Sequence, residues 1–139
     1  MTAREYLERP EALRLEICRR RARIETLRRL AARFTAGISD VRVRTSPDPS
    51  RMQSFLAEAA DEEREIVLLG EKRKRALAES ALLISRLPDE KMARILELRY
   101  LDRLPWEEIT ERMDCCASRV YRLHQLALDI LTPAPEVPE

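Results

Sequence analysis

Side chains able to hydrogen-bond to the edges of bases lie close together near the end of the chain. The apolar spacing from Ala117 to Leu131 predicts a helix. Its polar side then carries the following residues: Ser118, Arg119, Tyr121, Arg122 and Gln125. The donor groups of arginine and glutamine match guanine and adenine edges in the major groove. The pattern therefore favours a DNA-contacting surface, with Arg119, Arg122 and Gln125 as its base-reading residues, over the alternative of an ordinary polar outer face in a helical bundle without a ligand.

A shorter helix is predicted directly before this one. Pro105 suits a first helical position, and Trp106, Ile109 and Met113 follow at spacings of three and four. A turn of three residues then begins at Asp114, which is expected to adopt a positive φ. A short helix, a tight turn and a second helix form the helix-turn-helix layout, in which the second helix enters the major groove.

The inner side of this C-terminal segment, residues 88–131, is predicted from its large apolar residues. The expected core residues are Tyr100, Trp106, Ile109, Val120 and Leu123, and Ala127, Ile130 and Leu131 are expected to face the same way. Asp89 follows Pro88 and is expected to cap a helix that runs to about Leu101. Large aromatic residues at core spacing usually pack, so stacking on bases is not expected of Trp106.

Composition and spacing predict an all-α fold with a long helical arm over residues 1–87. Charged residues make up 37% of the 139-residue chain, aromatic residues 4%, and only two residues are glycine. Apolar residues recur at coiled-coil spacing in two predicted helices, about 11–36 and 50–87. An extended crossover is expected at 38–49, after a helix cap at Gly37, and a disordered tail at 132–139. The two helices are expected to pair with each other or to form a homodimer.

The charge is unevenly distributed. The net formal charge is +1, but residues 1–45 contain twelve arginines against six acidic residues. A run such as "CRRRARIETLRRLAAR" usually forms a solvated helix surface. Contact between these arginines and phosphate groups is the alternative.

The sequence carries no pattern of an enzyme, a metal site or a cofactor site. Cys115 and Cys116 are adjacent, which is not the spacing of zinc ligands, and His124 is expected to pack at a helix edge. There is no glycine-rich phosphate loop and no catalytic triad pattern. No secretory signal or membrane-spanning run is predicted either, so a cytoplasmic protein is expected.

The run "ILELRYLDRLPWEEITERMDCCASRVYRLHQLALDIL" resembles region four of sigma factors. It resembles more closely the small phage late transcriptional regulators of the RinA/ArpU type. The upstream segments "YLERPEALRLEICRRRARIETLRRLA" and "SDVRVRTSPDPSRMQSFLAEAADEEREI" are similar to the N-terminal region of the same proteins, so nearly the whole chain is covered. Asp114 stands where glycine is common in that pattern, and Cys116 stands where a serine often caps the second helix.

The resemblance implies a sequence-specific DNA-binding transcriptional regulator of phage or prophage genes, with an activator favoured. Its implied partners are double-stranded DNA and RNA polymerase. Two alternatives remain at this stage. One is a DNA-packaging protein like a small terminase subunit, which also combines a helix-turn-helix with oligomerising helices. The other is a module that docks on RNA polymerase and reads no DNA.

Overall fold

The computed structural model describes residues 1–35 and 49–137, and all regular structure within them is helical, which confirms the all-α prediction. The helices are α1 (Ala3–Thr35), α2 (Pro49–Ile84), α3 (Glu90–Leu96), α4 (Trp106–Met113) and α5 (Ala117–Leu131). A π-helical turn, Glu97–Leu101, continues α3. The predicted crossover and the predicted cap at Gly37 lie outside the described residues, except that Pro49 is the first residue of α2.

The chain forms two compact units, and their boundaries differ from the predicted arm and C-terminal domain. The terminal unit combines Met1–Ala12 with Arg73–Glu139, and the paired-helix unit is Leu13–Lys72. The first turns of α1 belong to the terminal unit because Ala3, Tyr6 and Leu7 are buried in its core. These residues share that core with residues from α2, α3 and α5, among them Ile84, Leu96 and Leu128.

Helix α1 begins about eight residues earlier than predicted. Thr2 and Glu5 form a capping box, in which the Glu5 amide donates to Thr2 Oγ1 over 3.2 Å and the Thr2 amide donates to Glu5 Oε2 over 3.0 Å. The helix also continues through Pro10, which has no amide hydrogen to donate to the carbonyl of Tyr6. The side chain of Arg9 supplies the missing donor, with Nε 3.0 Å from that carbonyl oxygen. Local hydrogen bonds thus compensate for the proline.

The segment after α5 also differs from its prediction. Residues 132–137 are described, and they lie against the N-terminus rather than being disordered. The Ala3 amide donates to Thr132 Oγ1 over 3.0 Å, and the Ala134 amide donates to the carbonyl of Met1 over 3.0 Å. Ala134 is buried and Val137 packs on the same core. Two hydrogen bonds and two small apolar residues therefore hold this segment against the N-terminus.

In the paired-helix unit, α1 and α2 pack on each other. Ile24, Leu27 and Ala59 form its buried centre, and the rings of Phe34 and Phe55 stack with their centroids 5.8 Å apart. Ion pairs cross between the helices: Arg20 with Glu62 at 3.0 Å, Arg23 with Glu58 at 3.2 Å, and Arg28 with Glu63. Part of the arginine-rich run thus neutralises acidic residues of α2, which supports its interpretation as a helix surface.

Two aliphatic residues at the edges of apolar stripes are exposed. Leu56 is 45% exposed, because the inner side of α2 is centred on Ala59 and Leu69. Ile130, which was expected to face inward, is 53% exposed, and Leu128 is buried instead. Successive helical residues are rotated by ~100°, so a residue at the edge of an apolar stripe turns outward when the contact surface is narrow.

Replacing Gly70 in α2 should stabilise the paired-helix unit. Glycine in a helix interior costs up to about 1 kcal/mol relative to alanine. A Cβ atom at Gly70 would meet nothing within 4 Å, so no clash opposes the gain. We expect Gly70→Ala to raise the free energy of unfolding by about 0.5–1 kcal/mol in chemical denaturation. A less stable variant would show that the backbone at this position does not have the described helical conformation.

Candidate nucleic-acid interface

The turn between α4 and α5 has the conformation that its residue types predict. Asp114 adopts φ 53° and ψ 42°, the left-handed conformation expected of it. Its amide and that of Cys115 donate back to the last turn of α4, over 3.3 and 3.4 Å. Cys116 occupies the N-cap of α5 and makes no side-chain cap hydrogen bond to the backbone. The first turn of α5 thus lacks the side-chain cap that serine would provide.

The thiol of Cys116 lies 3.4 Å from the hydroxyl of Ser118. This hydrogen bond, followed by backbone amide donors at the start of α5, lowers the pKa of the Cys116 thiol. The thiol is exposed, in the same turn as the first residues of the polar side of α5.

Apolar residues fix α4 and α5 to α3. Ile95, Leu98, Ile109 and Val120 are fully buried together. Partly buried residues pack around them, including Trp106, Met113 and Leu123. Of the predicted core residues, Tyr100, Ile109 and Val120 are therefore buried, and Trp106 and Leu123 are half-buried.

A cluster of rings lies between α5 and the preceding helices, and we call Tyr100, Trp106, Tyr121 and His124 the aromatic cluster. Tyr100 Oη and His124 Nε2 form a buried hydrogen bond of 2.8 Å. The Trp106 ring meets His124 edge-on and Tyr121 at a tilt, with 4.8 Å between centroids in both pairs. The guanidinium of Arg99 lies 4.6 Å from the centre of the Trp106 ring. The cluster joins the π-helical turn, α4 and α5.

Burial holds both partners of the central hydrogen bond in their neutral forms. Desolvation lowers the pKa of His124 to about 4, from its ordinary 6.5, and the positive charges of Arg4 and Arg99 act in the same direction. Burial is also the main reason why the pKa of Tyr100 is raised. The sequence predicted edge packing for His124, but the residue is buried and hydrogen-bonded.

The five predicted DNA-contacting residues lie on one exposed side of α5: Ser118, Arg119, Tyr121, Arg122 and Gln125. Their environments differ. The ring of Tyr121 packs on Trp106 but remains partly exposed to solvent. Tyr121 therefore belongs both to the exposed side of α5 and to the aromatic cluster. The amide of Gln125 donates to Asp129 Oδ1 over 3.2 Å, a contact one turn along the helix. Reaching a base would require Gln125 to give up this exposed hydrogen bond, which costs little.

The structure adds Lys91 to the residues near this face. A shallow cleft is lined by Pro88, Asp89, Glu90, Lys91 and Arg119. Lys91 therefore lines the same cleft as the first arginine of α5, although 28 positions separate them in the sequence, and no periodic pattern could have linked them. The acidic residues of the same cleft offset its positive charge.

The described ranges, 1–35 and 49–137, contain neither a metal-binding cluster nor a membrane-spanning helix. No group of three or more histidine, cysteine, aspartate or glutamate residues could hold a metal ion there. None of the helices in those ranges has both the length and the apolar character that crossing a membrane requires.

The buried His124 predicts a stability that falls in mild acid. The unfolded chain takes up a proton on His124 as the pH falls through about 6.5, whereas the folded chain resists protonation until about pH 4. The stability that neutral His124 contributes is therefore fully present above pH 6.5, and it is lost as the pH falls from 6.5 to about 4. We expect a loss of about 3 kcal/mol by pH 4, since one pKa unit corresponds to about 1.4 kcal/mol.

His124→Gln is the matched control, because it keeps a hydrogen-bonding group and removes the titration. Urea unfolding of both proteins at several pH values isolates the histidine, since the acidic residues titrate alike in both. An equal pH dependence in the two proteins would contradict a lowered pKa for His124.

Comparisons with known proteins assign no family to this geometry. None of the protein-family models, curated proteins or solved structures compared with the chain matches it. The function of the chain is therefore inferred from its own residues, from their positions on α5 and from the elements that hold that helix.

Proposed function

We propose that the chain is a sequence-specific DNA-binding transcriptional regulator that inserts the exposed side of α5 into the major groove. One observation supports this above the others: all five residues predicted to contact DNA lie on the exposed side of one helix. The opposite side of that helix is buried, at Val120, Ala127, Leu128 and Leu131. A helix held on one side and polar on the other can enter a groove without unfolding its own core.

The roles of the residues follow from their chemistry. Arg119 and Arg122 can each donate two hydrogen bonds to a guanine edge, and Gln125 can bond to adenine. Ser118, at the first turn of α5, suits contact with a backbone phosphate. Tyr121 packs on Trp106 and therefore suits a positioning role beside the groove.

The charge of the terminal unit sets the expected strength of binding. Acidic residues Glu107 and Glu108 lie in the first turn of α4, close to the proposed interface in sequence. Phosphate neutralisation supplies much of the affinity of DNA-binding proteins, so one copy of this unit should bind weakly. Two linked copies would raise the affinity because the second contact becomes intramolecular.

The resemblance to RinA/ArpU-type proteins and to sigma region four makes a phage or prophage activator the favoured regulator, with RNA polymerase as a protein partner. Two aliphatic residues of α5 are exposed, Leu126 and Ile130. They offer RNA polymerase an apolar surface to contact. A polymerase-docking module that reads no DNA is thus the second candidate function.

Selection of duplex fragments from a genomic library tests the proposal, followed by titration of an enriched duplex at two salt concentrations. Arg119→Ala/Arg122→Ala should weaken binding by about 30-fold or more, because each base contact is worth about 1–3 kcal/mol. It should also reduce the preference for the enriched sequence over a scrambled one.

Arg75→Ala/Arg86→Ala is the charge-matched control, since it removes two exposed arginines on and just after α2. It should leave the sequence preference unchanged. Equal losses in both double variants would show non-specific electrostatic binding. No enriched duplex, together with direct binding of purified RNA polymerase that Ile130→Glu weakens, would favour the docking module instead.

A further inference from the structure

The paired-helix unit leaves one side of α2 exposed. Ala59 and Leu69 are buried and Ile66 packs on the same centre, so these residues mark the side of α2 that faces α1. Val67 and Leu68 are 65% and 58% exposed. Two adjacent aliphatic residues with this exposure lie away from the inner side, and we call the surface around them the outer face of α2.

Two exposed residues of opposite charge lie at equal distances on either side of this aliphatic pair, Arg64 before it and Glu71 after it. They are seven positions apart, so they lie on the same stripe of the helix. If two copies of the helix pack antiparallel about the midpoint of the pair, each Arg64 faces the partner's Glu71. If they pack parallel and in register, every residue faces its own copy, and like charges meet.

We propose that the outer face of α2 is an interface between two copies of this chain, packed antiparallel about a two-fold axis between Val67 and Leu68. Val67 and Leu68 then pack on the same aliphatic pair of the partner, and Arg64 faces the partner's Glu71. The two-fold axis repeats this ion pair. The interface thus has an aliphatic centre flanked by two ion pairs.

The neighbouring residues on this side favour the same packing. Ala57 and Ala60 precede the centre at helical spacing, and their small side chains allow close approach of a second helix. Arg64 pairs with Asp61 within its own chain, and Glu71 also has an interaction within its own chain. Both residues are solvent-exposed, so exchanging these interactions for contacts with a second copy costs little.

The aliphatic centre is small, so the dimer should be weak and in rapid exchange, with a dissociation constant of about micromolar order. The interface lies entirely in the paired-helix unit. Its association is measured without DNA, and a failed dimer would leave the proposed role of α5 untouched. Conversely, a chain without DNA affinity could still dimerise.

Charge reversal in a mixed pair tests this interface directly. Arg64→Glu places the new acid against the partner's Glu71, and Glu71→Arg places the new base against the partner's Arg64. Each variant alone should dimerise about 10-fold more weakly than the unmodified chain in sedimentation equilibrium at low salt. An equimolar mixture should recover to within about threefold of the unmodified chain, since every opposed pair is again of opposite charge.

Two further variants serve as controls. Leu68→Glu puts a charge at the aliphatic centre and should prevent dimerisation, so its measured mass should be near the 16.2 kDa of one chain. Ile130→Glu, which changes an aliphatic residue of similar exposure on α5, should dimerise like the unmodified chain. Circular dichroism checks that every variant retains its helices.

Three results would overturn the proposal. The first is a mass of one chain across the concentration range. The second is a dimer that the reversals do not weaken or that the mixture does not restore, since another face would then carry the association. The third is a larger closed assembly, because an isologous contact ends at two copies.

Discussion

The buried hydrogen bond between Tyr100 and His124 is the contact on which the exposed side of α5 depends. It links α5 to the π-helical turn after α3 at a point where both groups are neutral and removed from water. Trp106, the first residue of α4, contacts the His124 ring edge-on and also packs on Tyr121. Helix α4 is therefore held to α5 next to this hydrogen bond. A shift of this cluster would move the whole polar side of α5, because the helix is rigid over its 15 residues.

The long helices contribute to both compact units, and each unit uses them differently. In the terminal unit, apolar residues from the start of α1 and the end of α2 complete the core beneath α5. In the paired-helix unit, arginines of α1 neutralise acidic residues of α2 across a narrow apolar seam. That seam is already occupied within the chain, which leaves the outer face of α2 as the surface for the proposed second copy.

Much of the fold and of the proposed interface was predictable from the sequence. The all-α class followed from composition, and the left-handed Asp114 and the helix Ala117–Leu131 followed from local patterns. The predicted helix start at about residue 11 was about eight residues late, because the coiled-coil spacing begins there, whereas the capping box of Thr2 and Glu5 starts α1. The buried state of His124 and the closeness of Lys91 to Arg119 depend on tertiary packing between distant segments, which periodicity does not encode. The prediction that Ile130 faces inward was wrong, because the burial of a residue at the edge of an apolar stripe depends on how wide the surface is that packs against the helix.

Mapping the DNA contact by nuclear magnetic resonance tests the central claim most directly. The 139-residue chain, labelled with nitrogen-15, would be titrated at low salt with a duplex, and both backbone amides and arginine Nε–H groups would be followed. The account predicts that the largest shifts occur at Ser118, Arg119, Arg122 and Gln125, while the amides of the paired-helix unit change little. Shifts concentrated on the arginines of α1, with the exposed side of α5 unchanged, would contradict it.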